Sequence, residues 1–449
     1  MTKLKLPKNA QKIIDKLQKA GFEAWAVGGS VRDLLINRPT KNWDFTTNAT
    51  PLQILKVFPN GFYDNRFGTV GLTQENGEIY EITTYRTEKG YFDRRHPDKV
   101  QWGESLKEDI ARRDFTINAI AFDGQKMVDP FAGQKDLKKK IIKAVGDPNQ
   151  RFAEDALRLL RAIRIATQLA FIIEPITFQA IKRNSPLIQK ISAERIRDEL
   201  FKILSTDFLA DGFYLLKNSG LLKEILPEVE QCFGIPQQSP KRHHLYDVGT
   251  HAFLSLKHCP SHDPIVRLAA LLHDIGKQAT FKKTKEGVIT FYNHEIIGAG
   301  MVRSIGRRLR LSKRDLQRLI IFVRWHQFSV DERQTDAAIR RFIRRVGKDN
   351  LNDILAVRTG DRLGGGARET SWRLEKFKKR LLEVQEQPFS VTDLKVNGYD
   401  VMEILKISRG PLVGKVLKML FLEVEEDEDK NKREYLLERI KKIGGENLA

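Results

Sequence analysis

The sequence is poor in cysteine and in long apolar runs. Its two cysteines, Cys232 and Cys259, cannot build a disulfide framework or a thiolate metal cage, which indicates a reducing compartment. No stretch approaches the roughly 20 consecutive apolar residues that a bilayer span requires, and the first residues contain no apolar signal core. These absences exclude a membrane-spanning protein and a disulfide-stapled secreted protein. They predict a cytoplasmic protein with no membrane partner.

Basic residues are in excess, with 78 Lys and Arg against 58 Asp and Glu among 449 residues, a formal charge of +20 at pH 7. Lys and Arg neutralise phosphates and release condensed counterions, so this excess indicates a polyanionic partner. A basic proteome background is the alternative explanation. Because the charge recurs at 138–140, 158–164 and 303–345, several domains are expected to face one long ligand.

The pattern of apolar residues predicts an α+β chain that is mostly α-helical, with a small mixed sheet in the N-terminal head. Residues 22–27 resemble a strand, and 69–73 with 79–85 alternate as a β-hairpin does. From about residue 147 the pattern becomes helical. The predicted helices cover 151–167, 193–204, 264–276, 313–326 and 335–346.

A Gly-Gly-Ser turn follows the first strand-like run. Gly28 and Gly29 let the backbone approach a ligand closely, and Ser30 can cap a helix whose N–H groups then face an anion. This predicts phosphate binding, although such turns are also common between strands and helices without a ligand.

Polar residues on neighbouring strands predict a metal site. In the run NWDFT, alternation directs Asn42 and Asp44 toward a cleft, while the aromatic residues between them and after them fill the core. Glu81 lies in the second strand of the predicted hairpin. Oxygen ligands of this kind suit Mg²⁺, which would bridge a nucleoside triphosphate.

A basic helical row predicts recognition of a nucleotide base. Asp155 and Arg158 are three residues apart, and Arg161 and Arg164 continue the row. A carboxylate that accepts beside a guanidinium that donates complements an exocyclic amine next to a ring-nitrogen acceptor. Cytosine and adenine offer that edge, whereas uracil and guanine do not. An ion-paired surface helix is the alternative for such a motif in isolation.

Five ordered segments carry a family resemblance. They are GGSVRD (28–33), WDFTTNATP (43–51), ARRDFTINAIAFD (111–123), EDALRLLRAIR (154–164) and ISAERIRDEL (191–200). In this order they resemble the class II tRNA nucleotidyltransferases, or CCA-adding enzymes, and the bacterial poly(A) polymerases, over about residues 15–230.

The resemblance implies a role for each matched residue. The triphosphate would be held by Gly28, Gly29, Ser30, Arg32, Arg113, Asp114 and Asn118. The base would be selected by Asp155, Arg158, Arg161 and Arg164. The family's catalytic Mg²⁺ ions are bound by two aspartates two positions apart; here Asp44 matches the second, and Asn42 stands at the first. An amide brings no charge to a metal, so the two-metal site is expected to be weaker unless Asp44 and Glu81 suffice.

Histidines are concentrated in one region, since six of the nine lie between His243 and His273. Burying His273 and Asp274 at the end of an apolar helix is costly unless something ligates them. An ordered set over about 243–365 resembles the HD-superfamily metal-dependent phosphohydrolases; its members are His251, His273, Asp274, His294, His326 and Asp361. Such ligands suit Mg, Mn, Ni, Co or Fe and leave open positions for water and phosphate.

The motifs predict four domains. They are a nucleotidyltransferase head (1–145), a helical neck for base selection and RNA binding (146–235), a helical HD domain (241–366) and a helical tail that binds tRNA (367–449). A Gly-, Pro- and Gln-rich piece at 233–240 is typical of a linker, and the mixed-charge run 423–439 is typical of a solvated helix.

The resemblance implies addition of CCA to tRNA 3′ ends from CTP and ATP without a nucleic-acid template, together with an HD phosphohydrolase activity. The intact HD set disfavours a poly(A) polymerase, and the full-length flexible loop at 86–105 disfavours CC-only addition. The alternatives are an A-adding enzyme, an RNA-binding HD phosphohydrolase with a head slowed or silenced by Asn42, and a non-catalytic RNA-binding protein. The HD substrate and the oligomeric state stay open.

Overall fold

The computed structural model describes the chain in eight stretches, residues 4–40, 42–64, 68–75, 77–89, 99–102, 105–238, 245–384 and 391–447. The chain divides into two units. The first comprises Met1–Gln231 and Ile305–Leu311, and the second comprises Cys232–Ser304 and Ser312–Ala449. The predicted α+β class, mostly helical with a small mixed sheet in the N-terminal head, is confirmed. Within the described stretches, no helix combines the length and the apolar character needed to cross a membrane.

The strands before residue 232 are β1 (Ala24–Val27), β2 (Asp44–Thr47), β3 (Phe62–Asp64), β4 (Thr69–Thr73), β5 (Ile79–Thr84), β6 (Arg86–Lys89), β7 (Lys99–Trp102), β8 (Ala121–Phe122), β9 (Met127–Val128), β10 (Ile141–Ile142) and β11 (Ile172–Ile173). One seven-stranded sheet has the order β3-β4-β5-β2-β1-β8-β9. Within it β2 and β5 run parallel, and the other neighbours run antiparallel. The predicted hairpin is confirmed as β4 and β5.

The helices before residue 232 are α1 (Lys8–Lys19), α2 (Gly29–Leu35), α3 (Pro51–Val57), α4 (Leu106–Ala111), α5 (Gly133–Lys138), α6 (Pro148–Glu154), α7 (Leu157–Leu169), α8 (Pro175–Asn184), α9 (Ala193–Leu204), α10 (Leu209–Asn218), α11 (Leu221–Ile225) and α12 (Pro227–Glu230). The helix predicted at 193–204 is α9.

The elements that follow are α13 (Val248–His258), α14 (Pro264–Leu272), α15 (Lys277–Thr280), β12 (Lys282–Lys283), β13 (Ile289–Thr290), α16 (His294–Arg308), α17 (Lys313–Trp325), α18 (Asp336–Val346), α19 (Leu351–Gly364), α20 (Trp372–Glu383), α21 (Gly398–Leu405), α22 (Pro411–Glu426) and α23 (Arg433–Asn447). The helices predicted at 313–326 and 335–346 are α17 and α18.

Alternating residues of β2 separate an apolar core from a polar face, as predicted. Phe45 is buried and stacks on Trp43 with ring centroids 6.5 Å apart. Both belong to a core that includes apolar residues of α1 and α3. Asp44 is paired in register with Glu81 on β5, and both alternate with core residues. The sheet therefore presents two carboxylates side by side on its other face.

The segment 86–105, predicted as a flexible loop, contains two paired strands. β6 and β7 run antiparallel with Arg86 opposite Trp102. Residues 90–98 and 103–104 lie outside the described stretches. The prediction missed the pair because the sequences RTEK and KVQW contain too few apolar residues to show a strand period.

The helix predicted over 151–167 is two helices. α6 ends at Glu154, α7 begins at Leu157, and Asp155 between them has extended backbone with φ −137° and ψ 104°. The Asp155 carboxylate accepts a hydrogen bond from the N–H of Leu157 at 3.0 Å. Asp side chains can compete in this way with the hydrogen bonds of a helix, so the helix is interrupted at Asp155.

Close helix packing joins the histidine-bearing segments of the second unit. α13 carries His251 and packs against α19, which carries Asp361. Gly360 permits this approach, since a Cβ atom there would lie 2.5 Å from the carbonyl oxygen of Ser255. The helix predicted at 264–276 is wrong at its end, because α14 stops at Leu272 and the His-Asp pair lies in the turn that follows.

The C-terminal helices α21, α22 and α23 share an apolar core. The run 423–439, predicted as one solvated helix, is broken at Asp427, whose φ of −147° is extended. α23 then buries Leu436 and Ile440. Mixed charges around these positions hid their helical spacing in the sequence.

Candidate nucleotide and metal sites

A cavity of about 250 Å³ opens in the first unit where α2 and α7 begin. It brings together residues that the sequence singled out separately, namely Gly28, Gly29, Asp44, Arg113, Asp114, Asn118, Asp155, Arg158 and Arg161. The fold thus gathers residues of four motif segments around one space large enough for part of a nucleotide.

Gly28 adopts a backbone conformation that glycine takes readily, with φ 80° and ψ −145°. A Cβ atom there would lie 3.2 Å from Nη1 of Arg113 and 3.4 Å from Oδ2 of Asp44. Glycine therefore keeps the gap between a cation and a carboxylate open. The prediction that Ser30 caps α2 is wrong: Gly28 holds the N-cap position, and the Ser30 hydroxyl donates to the carbonyl of Val27 at 2.9 Å.

A chain of buried hydrogen bonds fixes the cavity wall. Arg32 donates from Nη1 to Oδ1 of Asn118 at 2.8 Å, and Asn118 donates from Nδ2 to Oδ1 of Asp114 at 3.1 Å. Arg161 donates to Oδ2 of Asp114 from Nε at 2.8 Å and from Nη2 at 2.6 Å. Burial opposes ionisation of Asp114, but Arg161 and Asn118 outweigh it and lower its pKa. The ionised carboxylate holds Arg161 at the cavity, whereas Arg32 does not line it.

Asp44 is a carboxylate that its surroundings stabilise incompletely. Its side chain reaches solvent at the cavity, yet desolvation by the protein around it raises its pKa, and Arg113 and Arg161 offset this only in part. Such a group fits a hard divalent cation. Glu81 and the exposed Asn42, the other predicted catalytic residues, do not line the cavity. Glu81 lies beside Asp44 in the strand register.

The predicted base-reading residues are held by different partners. The Oδ2 atom of Asp155 accepts from Nη2 of Arg195 at 3.0 Å. Arg158 is mostly buried, and it donates to Oε2 of Glu154 at 2.7 Å and to the carbonyl of Arg112 at 3.0 Å. These contacts fix the Asp155 carboxylate and the Arg158 guanidinium before any base arrives.

Arg164, the last residue of the row, does not line the cavity. Its Nε atom lies 3.1 Å from Oε2 of Glu199, and burial lowers its pKa. Two charged lining residues were missed by sequence reasoning, Arg112 and Arg195. Both lie inside segments that carry the family resemblance, ARRDFTINAIAFD and ISAERIRDEL. Their place in those segments was the sequence signal that could have identified them.

The six predicted HD residues meet at a second cavity, of about 350 Å³, in the second unit. Five of them line it, namely His251, Asp274, His294, His326 and Asp361. His273 is fully buried and reaches the same cluster, with Nε2 3.2 Å from Oδ2 of Asp274. The Oδ1 atom of Asp361 lies 3.2 Å from Nε2 of His251.

Asp274 joins two groups of possible metal ligands. Its Oδ2 atom faces Nε2 of His273 at 3.2 Å and Nε2 of His251 at 3.6 Å. Its Oδ1 atom faces Nε2 of His294 at 3.2 Å and Nε2 of His326 at 3.5 Å. Each group therefore combines two imidazole nitrogens and one oxygen of a shared carboxylate, a donor set that suits divalent transition metals.

Backbone carbonyls orient three of the imidazoles. In each case Nδ1 lies 2.8 Å from the carbonyl oxygen three residues earlier, and the pairs are His273 with Ala270, His294 with Phe291 and His326 with Val323. Nε2 is therefore the free nitrogen that points inward. In the described structure, the buried Nε2 atoms of His294 and His326 form no hydrogen bond. Acceptors that face Asp274 in this way fit a metal ion between them.

The cluster attracts positive charge. Burial opposes protonation of His273, but Asp274 and Asp361 outweigh it and raise the pKa of His273 to about 10. Burial also opposes ionisation of Asp274. His273 and Lys277 nevertheless hold the pKa of Asp274 well below its usual value. Lys277 was missed by sequence reasoning; its Nζ atom lies 2.6 Å from Oδ2 of Asp274. The signal for it was its place in HDIGK, three residues after the aspartate.

Three family models match the chain. They describe a poly A polymerase head domain at residues 24–143, a probable RNA and SrmB-binding site of polymerase A at 170–233, and an HD domain at 243–359. The nucleotidyltransferase and HD families are metal-dependent, and the second unit contains possible metal-binding groups.

A CCA-adding enzyme of Pediococcus pentosaceus is 32% identical over 438 residues, which cover 97% of this chain and 98% of that one. The chain belongs to the CCA-adding enzyme family. A CCA-adding enzyme of Lactobacillus helveticus is 52% identical over 219 residues, 48% of this chain and 54% of that one, so the chain spans about half the length of that relative. The crystal structure of the Bacillus stearothermophilus CCA-adding enzyme in complex with CTP aligns with a TM-score of 0.73 and 28% identity, covering 98% of both chains.

Proposed function

We propose that this member of the CCA-adding family adds C, C and A to tRNA 3′ ends from CTP and ATP, and that its second unit is a metal-dependent phosphohydrolase. The observation that carries the first proposal is the cavity in which Gly28, Asp44 and Arg113 face Asp155 and Arg161. It supports a nucleotide whose triphosphate lies at the start of α2 and whose base points toward α7.

The head residues would act on the triphosphate and on the RNA 3′-hydroxyl. The glycine backbone lets the phosphates approach, and Arg113 neutralises their charge. Asp44, with Glu81 beside it, would hold Mg²⁺, which when bound polarises the α-phosphate attacked by the 3′-hydroxyl. Asn42 offers an oxygen without charge. We therefore propose that one cation is bound well and a second one weakly, which slows transfer without abolishing it.

Base selection would depend on fixed side chains. Asp155, held by Arg195 and by the N–H of Leu157, accepts from the exocyclic amine of cytosine or adenine. Arg161, held by Asp114, donates to the neighbouring ring nitrogen. Since uracil and guanine present the opposite pattern at that edge, this pair excludes UTP and GTP.

The second unit would bind Mg, Mn, Ni, Co or Fe through His251, His273, Asp274 and Asp361, with a further ion at Asp274, His294 and His326. A bound ion supplies an activated water for attack on phosphorus. Arg358, which lines the cavity and lies 3.1 Å from Asp361, would neutralise the phosphoester. The proposed substrates are phosphomonoesters or 2′,3′-cyclic phosphates at RNA ends.

The domain division at 145, 235, 241 and 366 remains part of the proposal. The head would carry transfer, the neck base selection, the third domain hydrolysis and the tail tRNA binding. We further propose a cytoplasmic location, because tRNA and both nucleoside triphosphates are available there.

The transferase proposal is tested with purified full-length protein, Mg²⁺ and a tRNA that lacks its 3′ CCA. Extension by three nucleotides is expected with CTP and ATP together, by two with CTP alone, and none with UTP or GTP. Asn42→Asp should extend faster because it restores a charged ligand. Extension by ATP alone on a tRNA ending in CC, without CTP incorporation, would indicate an A-adding enzyme instead.

A second candidate is an RNA-binding HD phosphohydrolase with a silent head, and Asn42 is the observation that favours it. In that case wild type would not extend tRNA, whereas Asn42→Asp would. The hydrolase is assayed with 2′,3′-cyclic AMP and a phosphomonoester across Mg²⁺, Mn²⁺, Ni²⁺ and Co²⁺. The absence of phosphate release with every metal would contradict the proposed activity of the second unit.

A further inference from the structure

Gln237 lies in the Gly-, Pro- and Gln-rich segment that the sequence marks as a linker, yet its side chain is 2% exposed. Burial of an amide is costly unless its oxygen and nitrogen are paired. Both are paired here: Nε2 donates to the carbonyl of Tyr246 at 3.3 Å, and Oε1 accepts from Nζ of Lys277 at 2.6 Å. A linker side chain that is buried and fully hydrogen-bonded indicates a structural or functional role.

Lys277 connects Gln237 to the metal cluster. Its ammonium is buried and donates to two acceptors, Oε1 of Gln237 and Oδ2 of Asp274, each at 2.6 Å. The same nitrogen lies 5.4 Å from the ring centroid of Phe291, whose carbonyl accepts from His294. Asp274 is the carboxylate that both ligand groups share. Its orientation decides whether Oδ2 faces His273 while Oδ1 faces His294.

We propose that Gln237 is a positioning residue that acts through Lys277 to orient Asp274 for metal binding. Gln237 fixes the ammonium of Lys277 on one side, and this ammonium then holds Oδ2 of Asp274. The Oδ1 atom of Asp274 is thereby left facing His294 and His326. Partners behind a metal ligand typically contribute about 10- to 100-fold in metal affinity or activity. This role rests on the proposed metal site of the second unit, and it assigns a functional side chain to the linker.

The test is a double-mutant cycle on the full-length protein, with Mn²⁺ binding measured by titration calorimetry in the absence of substrate. Gln237→Met keeps the volume and removes the acceptor, and it should weaken Mn²⁺ binding about 10-fold. Lys277→Met removes both an orienting donor and a positive charge, so it serves as the background. In that background Gln237→Met should have no further effect. Gln237→Glu keeps an acceptor for Lys277 and should retain most of the affinity.

The cycle separates positioning from general packing. If Gln237 only supports the fold, Gln237→Met will weaken Mn²⁺ binding equally in both backgrounds, which overturns the proposal, as does unchanged affinity in the single variant. Hydrolysis of bis(p-nitrophenyl) phosphate is measured in parallel. Wild type that binds Mn²⁺ but hydrolyses no phosphoester contradicts the phosphohydrolase and leaves the positioning role standing. Wild type that binds no Mn²⁺ overturns both.

Discussion

The two candidate sites differ in how completely their buried polar atoms are paired. In the first unit buried carboxylates are matched by arginines, Asp114 by Arg161 and Asp109 by Arg112. In the second unit Lys277 pairs with Asp274, yet the buried Nε2 atoms of His294 and His326 face that carboxylate without a hydrogen bond. Apart from Asp44, the nucleotide cavity therefore has its carboxylates paired with arginines before a ligand arrives, whereas the metal cluster keeps two imidazole acceptors that a cation would satisfy. Divalent metal should thus stabilise the second unit more than nucleotide stabilises the first.

The largest expected effect is that of Asp274→Asn. It removes the negative charge that both ligand groups share and replaces one ligand oxygen with an amide nitrogen, so Mn²⁺ binding should be lost and phosphoester hydrolysis should fall about 1,000-fold, since a metal ion supplies several kcal/mol of transition-state stabilisation. Metal content after dialysis and initial hydrolysis rates measure this, and tRNA extension by the same variant is the control. A variant that retains the wild-type metal content would show that Asp274 is not the shared ligand.

The next largest effect is expected for Asp44→Asn. The nucleotide cavity keeps its paired arginines, so the protein should still bind CTP, but transfer should fall at least about 100-fold because the Mg²⁺ ligand loses its charge. Single-turnover extension of tRNA and CTP binding by calorimetry separate the two quantities. Equal loss of binding and of rate would contradict the distinction drawn between the sites. Hydrolysis by the second unit should stay at the wild-type value.

Asp114→Asn tests the matching of charges in the first unit. Removing the partner of a partly buried arginine should lower the free energy of unfolding by about 3 kcal/mol at pH 7. The folded pKa of Asp114 is lowered, so its stabilising effect is present above about pH 4 and is lost as the pH falls through the folded value. Denaturation at pH 7 and at pH 3 should show the wild type and the variant converging in acid. A constant difference at both pH values would mean that the ion pair is not the cause.

The smallest effect is expected from a glycine pair. Gly28→Ala and Gly77→Ala both place alanine at positive φ, 80° and 81°, which costs at least about 1–2 kcal/mol, and more at Gly28, whose ψ of −145° lies outside the left-handed helical region. Gly77 has open space around its Cβ position, whereas Gly28 faces Arg113 and Asp44. Both variants should lose thermal stability, but only Gly28→Ala should weaken CTP binding. If Gly77→Ala weakens it as much, the effect comes from stability and not from the cavity.

Sequence reasoning identified the residues that the fold brings together better than it described their contacts. Strand alternation correctly separated Asp44 from Phe45, because a period of two needs only local information. The ordered histidine set was found although its members lie far apart in sequence. The break at Asp155 was missed because a continuous apolar period extends across it, while the carboxylate's contact with Leu157 N–H decides the backbone locally.

Contacts between distant segments had no signal in composition or period. Arg195 meets Asp155 across 40 residues, and Lys277 meets Gln237 across the same separation. Only the packing of helices brings such residues together. The partners that orient a functional group are therefore the part of a site that a single sequence conceals most.

The carbonyl contacts of the imidazoles have a consequence for metal identity. His273 and His326 stand at the C-terminal ends of α14 and α17, where helix carbonyls lack intrahelical partners. Each ring satisfies one such carbonyl through Nδ1, so its orientation is maintained by the helix end rather than by the metal. In the proposed metal site, loss of the metal should therefore leave the imidazoles in place. We expect the second unit to exchange one divalent ion for another without refolding, so that the proposed hydrolase activity would follow whichever metal the cell supplies.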